Sequence, residues 1–218
     1  MMDDLLGPLR GPETLAPGAI FLPGVAISRQ ERMMVEIRQI IASAPLRRLS
    51  TPGGRRFSVE MTNCGNLGWL SDASGYRYES RDPVTGASWP SIPGGWITFA
   101  EEMAARAGYA AFRPQACLIN RYAAGARMGL HQDRDETALN DPIVSVSLGV
   151  GAYFLFGGAK RDTPVRKLRL LSGDVVVWGG RSRLFYHGVA PLPADEHPLT
   201  GVYRWNLTFR RVTVPDRP

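Results

Sequence analysis

Cysteine is scarce in this 218-residue chain: only Cys64 and Cys117 occur, 53 positions apart and with no CxxC pair. That excludes a disulfide framework and a cysteine-rich zinc ribbon or finger, and makes a reducing cytoplasm the expected compartment. No run approaches the roughly 18 apolar residues that a membrane span requires. The opening MMDDLLGPLRG places acid rather than base before its short apolar stretch, unlike a secretory signal. GxGxxG and GxxxxGK[ST] loops are missing too, which disfavours a nucleotide-binding βαβ sheet. Histidine is limited to His131, His187 and His197, so the commonest metal ligand has few places to be. Lysine is almost absent: of 26 basic residues, 24 are Arg.

What is present leaves room for one large domain or for one domain with an elaborate extension, long enough to bury roughly 70% of its unfolded surface. The 24 Gly and 17 Pro fall between short apolar segments, as in a chain with many turns. The net charge of +6 is carried by arginine, the side chain suited to bidentate phosphate contacts. Two local patches stand out: Arg47, Arg48, Arg55 and Arg56, and Lys160, Arg161, Arg166, Lys167 and Arg169. They could flank one cleft and grip a polyanion.

Four regions are expected. Residues 1–12 read as a flexible N-terminus and 13–44 as an extension with a supporting helix. There Ser28 and Glu31 form a capping box, Met33 or Met34, Ile37, Ile40 and Ile41 make an apolar stripe, and Pro45 forces a stop. Residues 45–90 are turn-rich with isolated aromatics, Trp69, Tyr76, Tyr78 and Trp89, and read as small hairpins forming a separate flap. Residues 91–214 open with a second helix over about 94–107, bearing Trp96, Ala100, Met103 and Ala107 on one side. Short strands follow at 116–123, 127–132, 143–149, 152–157, 166–171, 174–178, 184–188 and 202–212. Eight short strands without helices between them predict a mainly β jelly roll or similar double sheet.

Within those strands one constellation carries chemistry. His131 and Asp133 in GLHQDRDE are two positions apart, so on a strand they share a face, and His187 in LFYHGV lies on another predicted strand. Two imidazoles and a carboxylate are the facial triad of non-haem Fe(II) oxygenases, although zinc accepts the same set and HxD alone is common by chance. His197, in DEHPLTG, reads as a surface loop residue.

The last strand adds a second argument. In VYRWNLTFRRV, Arg204, Asn206, Thr208 and Arg210 share one face and Tyr203, Trp205, Leu207 and Phe209 the other. Packing the apolar face turns two guanidinium groups inward, where they need carboxylate partners. A small dicarboxylic co-substrate beside the metal fits. Strand 116–123 follows the same logic, presenting Leu118, Asn120 and Tyr122 on one face. Two other classes stay open on the residues alone. A jelly-roll binding module with structural zinc would show no turnover, and a dioxygenase of proteins or small molecules would ignore nucleic acid.

Ordered passages run the length of the chain: TPGG at 51–54, MTNCGNLGW at 61–69, CLINRYAAGARMGLHQDRDE at 117–136, PIVSVSLG at 142–149, GDVVVWGGRSRLFYHG at 173–188 and RWNLTFR at 204–210. In these the sequence closely resembles the AlkB family of iron(II)- and 2-oxoglutarate-dependent dioxygenases. The resemblance implies a double-stranded β-helix with a nucleotide-recognition lid at 45–90, Fe(II) held by His131, Asp133 and His187, and O2 and 2-oxoglutarate as co-substrates. The distal carboxylate of 2-oxoglutarate would pair with Arg204, helped by Asn120, Tyr122 and Asn206 and bordered by Leu118, with Arg210 near its other end and Asp133. Substrate contacts would come from Thr51, Met61, Trp69, Tyr76, Asp135 and Arg161. The implied reaction oxidises N-methyl groups of 1-methyladenine and 3-methylcytosine in DNA, preferably single-stranded, or in RNA, and releases formaldehyde and succinate from a monomeric enzyme with no membrane partner. Gly129, Arg134 and Trp205 depart from the family pattern, and none of the three is a metal or co-substrate residue.

Overall fold

The computed structural model describes residues 10–213, in which thirteen strands and two α-helices alternate with turns. Residues 1–9 of the segment expected to be flexible lie outside the described residues. Arg10, near its end, is held in place, its Nη2 3.0 and 3.1 Å from the two carboxylate oxygens of buried Asp174.

Seven strands form the larger sheet, in the order β1 (Glu13–Ala16), β2 (Ala19–Leu22), β11 (Val175–Trp178), β8 (Ile143–Gly149), β13 (Arg204–Arg210), β6 (Ala116–Tyr122) and β3 (Glu60–Gly65). Four form the smaller sheet, β10 (Arg166–Leu170), β9 (Ala152–Phe156), β12 (His187–Val189) and β7 (Met128–His131). The third is a ribbon of β4 (Gly68–Asp72) and β5 (Gly75–Glu79). Neighbouring strands pair antiparallel in all three, the pattern of a jelly roll.

Period-two alternation distributes the large sheet's side chains between two cores. On β8, β11 and β13, Val144, Val146, Leu148, Val175, Val177, Trp205, Leu207 and Phe209 face the helices. They pack there against Met33, Ile37, Trp96, Phe99 and Met103 of α1 (Gln30–Ser43) and α2 (Gly94–Arg106). The intervening residues face the small sheet, where Phe154, Phe156, Leu168 and Val189 meet Phe21, Leu118, Val176 and Trp178. Between the sheets the alternation also places Arg204, Asn206, Thr208 and Arg210, all buried, on the inner side of β13.

Several expectations need correction. No capping box forms: Ile27–Arg29 is a 3-10 turn, Arg29 occupies the cap position of α1, and no side chain caps the helix. The strand expected at 184–188 begins only at His187, because Gly180–Ser182 forms another 3-10 turn and Phe185 N and Tyr186 N bond back to Ser182 O and Gly158 O. Residues 60–65, expected within a separate flap, form the edge strand of the large sheet and pair with β6 from Glu60↔Arg121 to Gly65↔Ala116. Strands β1 and β2 had no counterpart in the expectation. They are two four-residue strands turned at Pro17 and Gly18, the latter at φ 84°, too short to show a period.

Candidate active site

Register brings the first two candidate ligands together, since His131 of β7 and His187 of β12 are direct partners across the small sheet, with ring centroids 4.4 Å apart. Asp133 completes the cluster from just beyond the end of β7, so its position comes from the loop and not from strand alternation as expected. Its carboxylate lies 3.5 Å from His131 Nε2 and 3.8 Å from His187 Nε2, and one ligand atom from each residue falls within 4.8 Å of the others.

Both imidazoles are oriented by the backbone: His131 Nδ1 is 2.8 Å from Gly129 O and His187 Nδ1 3.0 Å from Phe185 O. A carbonyl can only accept, so Nδ1 carries the proton and each Nε2 lone pair is left for a metal. Burial, and then the neighbouring His131, push His187 down to about 4, which keeps that imidazole neutral and able to ligate at physiological pH. Burial would raise the Asp133 carboxyl, but Arg210, with Nη2 at 2.7 Å, overrides it and holds the group well below the usual carboxylate range. Burial would lower His131, but Asp133 at 3.5 Å outweighs it and raises that imidazole, so His187 and Asp133 stand in their ligating forms while His131 reaches its own by giving up the Nε2 proton to an arriving metal.

Beside the cluster lies a solvent-open pocket of about 410 Å³, its mouth included, lined by Leu118, Asn120, Tyr122, Asn206 and Arg210 together with the three candidate ligands. Met128, Ser145, Trp178 and Thr208 also line it. The two inward arginines differ sharply. Arg210 is satisfied within the chain by Asp133 and by Glu136, the latter at 3.3 Å from its Nε. Arg204, which is not among the lining residues, meets among the described residues a single hydroxyl, Ser147 Oγ at 2.9 Å from Nη2, and stacks 5.1 Å above the lining Tyr122 ring. Its Nε and Nη1 are buried with no hydrogen-bond partner among the described residues, as is Asn120 Oδ1. A buried guanidinium without a carboxylate is costly. A 2-oxoglutarate carboxylate would supply the missing charge, so the donor chemistry of these residues fits that co-substrate as the triad fits Fe(II).

The whole-chain comparisons agree with this chemistry. The family model described as 2OG-Fe(II) oxygenase superfamily matches residues 18–210. The chain is 52% identical over 199 residues to the alpha-ketoglutarate-dependent dioxygenase AlkB of Salmonella typhimurium, covering 91% of this chain and 92% of that protein. It belongs to the AlkB family. A more distant relative is the DNA N(6)-methyladenine demethylase ALKBH1C of Arabidopsis thaliana, 32% identical over 174 residues that span 68% of this chain and 38% of that one. Among solved structures, that of OsALKBH1 superposes with a TM-score of 0.81 at 29% identity, covering 92% of this chain and 100% of that chain. AlkB membership makes the chain an iron(II)- and 2-oxoglutarate-dependent dioxygenase, with Fe(II), 2-oxoglutarate and O2 as its reaction partners.

The AlkB substrate residues expected from sequence are distributed unevenly. Trp69 and Tyr76 stack on the β4–β5 ribbon, centroids 5.8 Å apart at 15°, and Trp69 Nε1 donates to Asp135 Oδ2 at 2.8 Å. Arg161 is exposed, with its guanidinium 5.1 Å over the Tyr186 ring. Thr51 sits in a turn where its Oγ1 accepts from Arg55 N at 3.2 Å. Met61 is buried in the inter-sheet core, and none of these six residues lines the cavity beside the triad. His197, the expected surface residue, is half-buried in the 197–201 turn, its Nδ1 accepting from Leu199 N.

Sequence reasoning missed Glu136, Arg183, Tyr78 and Trp178. Arg183, 2% exposed, donates to Asp133 O at 2.7 Å and to Glu136 Oε2 at 3.0 Å, and Trp178 lies 4.8 Å from His187 between centroids. Glu136 and Arg183 both fall inside the quoted family passages. Their 47-residue separation carries no periodic signal. Among the described residues no helix is long and apolar enough to cross a membrane.

Proposed function

We propose that this enzyme removes N-methyl groups from 1-methyladenine and 3-methylcytosine in single-stranded DNA, and in RNA as a secondary substrate, acting as a cytoplasmic monomer. The observation that carries the reading is an indole hydrogen-bonded to an exposed carboxylate two residues beyond the candidate ligand Asp133, Trp69 Nε1 to Asp135. Methylation at a Watson–Crick nitrogen gives these bases a positive charge, and a cation is best recognised by a π face together with an anion. Such lesions cannot pair normally, which lowers the cost of presenting them outside a helix.

His131, Asp133 and His187 would hold Fe(II), and Arg204, with Asn120, would bind the distal carboxylate of 2-oxoglutarate. When bound, iron with 2-oxoglutarate and O2 supplies the oxidising power to convert a methyl C–H to C–OH, after which the N–CH2OH group loses formaldehyde. The chain's own work is placement. Asp135 accepts the exocyclic N–H of the base, Trp69 and Tyr76 provide the stacking wall, and the apolar side chains of Leu118, Met128 and Val189 keep water from the cavity. Thr51 and Arg161 would contact the sugar-phosphate backbone without reading sequence.

The test is formaldehyde release from an oligonucleotide carrying one 1-methyladenine, with Fe(II), 2-oxoglutarate and O2 each omitted in turn. Release that requires all three supports the reading. A fully metallated protein that turns over 2-oxoglutarate but leaves the base methylated would overturn it.

A further inference from the structure

Resting on the reading of Trp69 as the substrate's stacking wall, we propose that Tyr78 is a positioning residue that fastens the Trp69 ribbon to the charges around the metal cluster. Trp69 and Tyr78 are direct cross-strand partners, so both side chains stand on the same face of the ribbon. Their polar ends meet consecutive acids, Trp69 Nε1 donating to Asp135 Oδ2 at 2.8 Å and the Tyr78 hydroxyl to Glu136 Oε1 at 2.5 Å.

The two contacts differ in kind. Asp135 is exposed, so an amine of the incoming base can replace the indole as its donor. Glu136 is 5% exposed and is held by Arg183 at 3.0 Å and by Arg210 at 3.3 Å, the same Arg210 that grips Asp133 at 2.7 Å. Asp133, Glu136, Arg183 and Arg210 form a buried set with no net charge. Lifting the ribbon away would exchange the charge-assisted bond from the Tyr78 hydroxyl to Glu136 for contact with water, which disfavours the open position.

The ribbon is tied at a second point, where Asn63 of β3 bonds both Trp69 N and Trp69 O at 3.0 Å. Asn63 ties β4 to the large sheet, and Tyr78 ties β5 to the metal-side loop. The stacking wall is thereby located relative to Asp133 by the charges that locate Asp133 itself. Exchange of partners at Asp135 can then proceed without releasing the wall.

Tyr78→Phe removes one oxygen and tests this. With the 1-methyladenine oligonucleotide, KM should rise about tenfold, equivalent to about 1.4 kcal/mol, while kcat stays within about twofold. The visible absorption of the anaerobic iron–2-oxoglutarate complex should be unchanged. In a Trp69→Phe background the same substitution should raise KM less than about threefold, since a residue acting through Trp69 has little left to position. Full additivity, or an unaltered KM in Tyr78→Phe, would overturn the proposal. Hydrogen exchange reads the fastening without any substrate: amides of residues 68–79 should exchange faster in Tyr78→Phe while those of β7 do not. If unsubstituted enzyme fails to demethylate the base, the proposed function falls, and unchanged exchange in 68–79 would sink the fastening separately.

Discussion

At the scale of single residues, the two inward arginines of β13 show how identical side chains on one strand face acquire opposite energetics. Arg210 completes a charge set within the chain, whereas Arg204 is buried with two unbonded nitrogens and is pushed down by burial. Arg204→Met should therefore leave the thermal midpoint of the chain without co-substrate unchanged or raised, because it removes an uncompensated buried charge. It should also abolish the midpoint increase that 2-oxoglutarate gives the unsubstituted protein and weaken co-substrate affinity by about 100-fold or more. Thermal scans with and without 2-oxoglutarate decide this, and a retained ligand-induced increase would remove Arg204 from the site. Arg210→Met should do the reverse and destabilise the ligand-free fold by about 3–5 kcal/mol, by leaving Asp133 without its cation and Glu136 with Arg183 alone. Denaturant unfolding measures that difference. Alternation alone placed both arginines inward, because facing depends only on local period. Which one lacked an anion was not legible, since Glu136 reaches Arg210 from 74 residues away and no local pattern encodes that contact.

At the scale of elements, the same divide explains which strands could be read. β8 and β13 are seven residues long with clear alternation, and their expected bounds hold within two residues. β1 and β2 acquire strand character only by pairing, β2 against β11. β3 was assigned to the flap because turn residues surround it, yet it joins the large sheet through β6. The segment that follows is tied down by a bidentate contact between Arg47 and Asp82, with both N–O distances 2.6 Å. The Arg47 guanidinium holds the Asp82 carboxyl down to about 2. A carboxyl whose folded value lies below its unfolded value of about 3.9 gives stability that is complete above that value and lost as pH falls toward the folded one. The clamp should thus contribute about 1–2 kcal/mol near neutral pH, and that contribution should disappear between about pH 4 and pH 2. Comparing urea unfolding of the unsubstituted chain and Asp82→Asn across that interval checks the sign: the gap between them should close on acidification. A gap that widened as pH fell would contradict the assignment.

For the molecule as a whole, the formal charge of +6 overstates what is available to a polyanion. Arg183, Arg204 and Arg210 are buried, Arg47 is committed to Asp82, and Arg166 pairs with Glu13, so part of each basic patch seen in the sequence has a structural duty. The remainder is exposed on two separate stretches, Arg48, Arg55 and Arg56 near the ribbon and Lys160, Arg161 and Lys167 around the β9–β10 turn. If these cations track a single-stranded backbone, each phosphate neutralised adds about −0.7 to the slope of log K against log salt. Replacing Arg55 and Arg56 together by Ala should therefore make the slope shallower by about 1.4 and weaken binding to the same degree for unrelated sequences. Titration of a labelled oligonucleotide at graded salt measures both quantities. An unchanged slope would place the nucleic acid elsewhere on the surface. A loss confined to one base composition would show that these arginines read bases, a role proposed above for the bonded pair of Asp135 and Trp69.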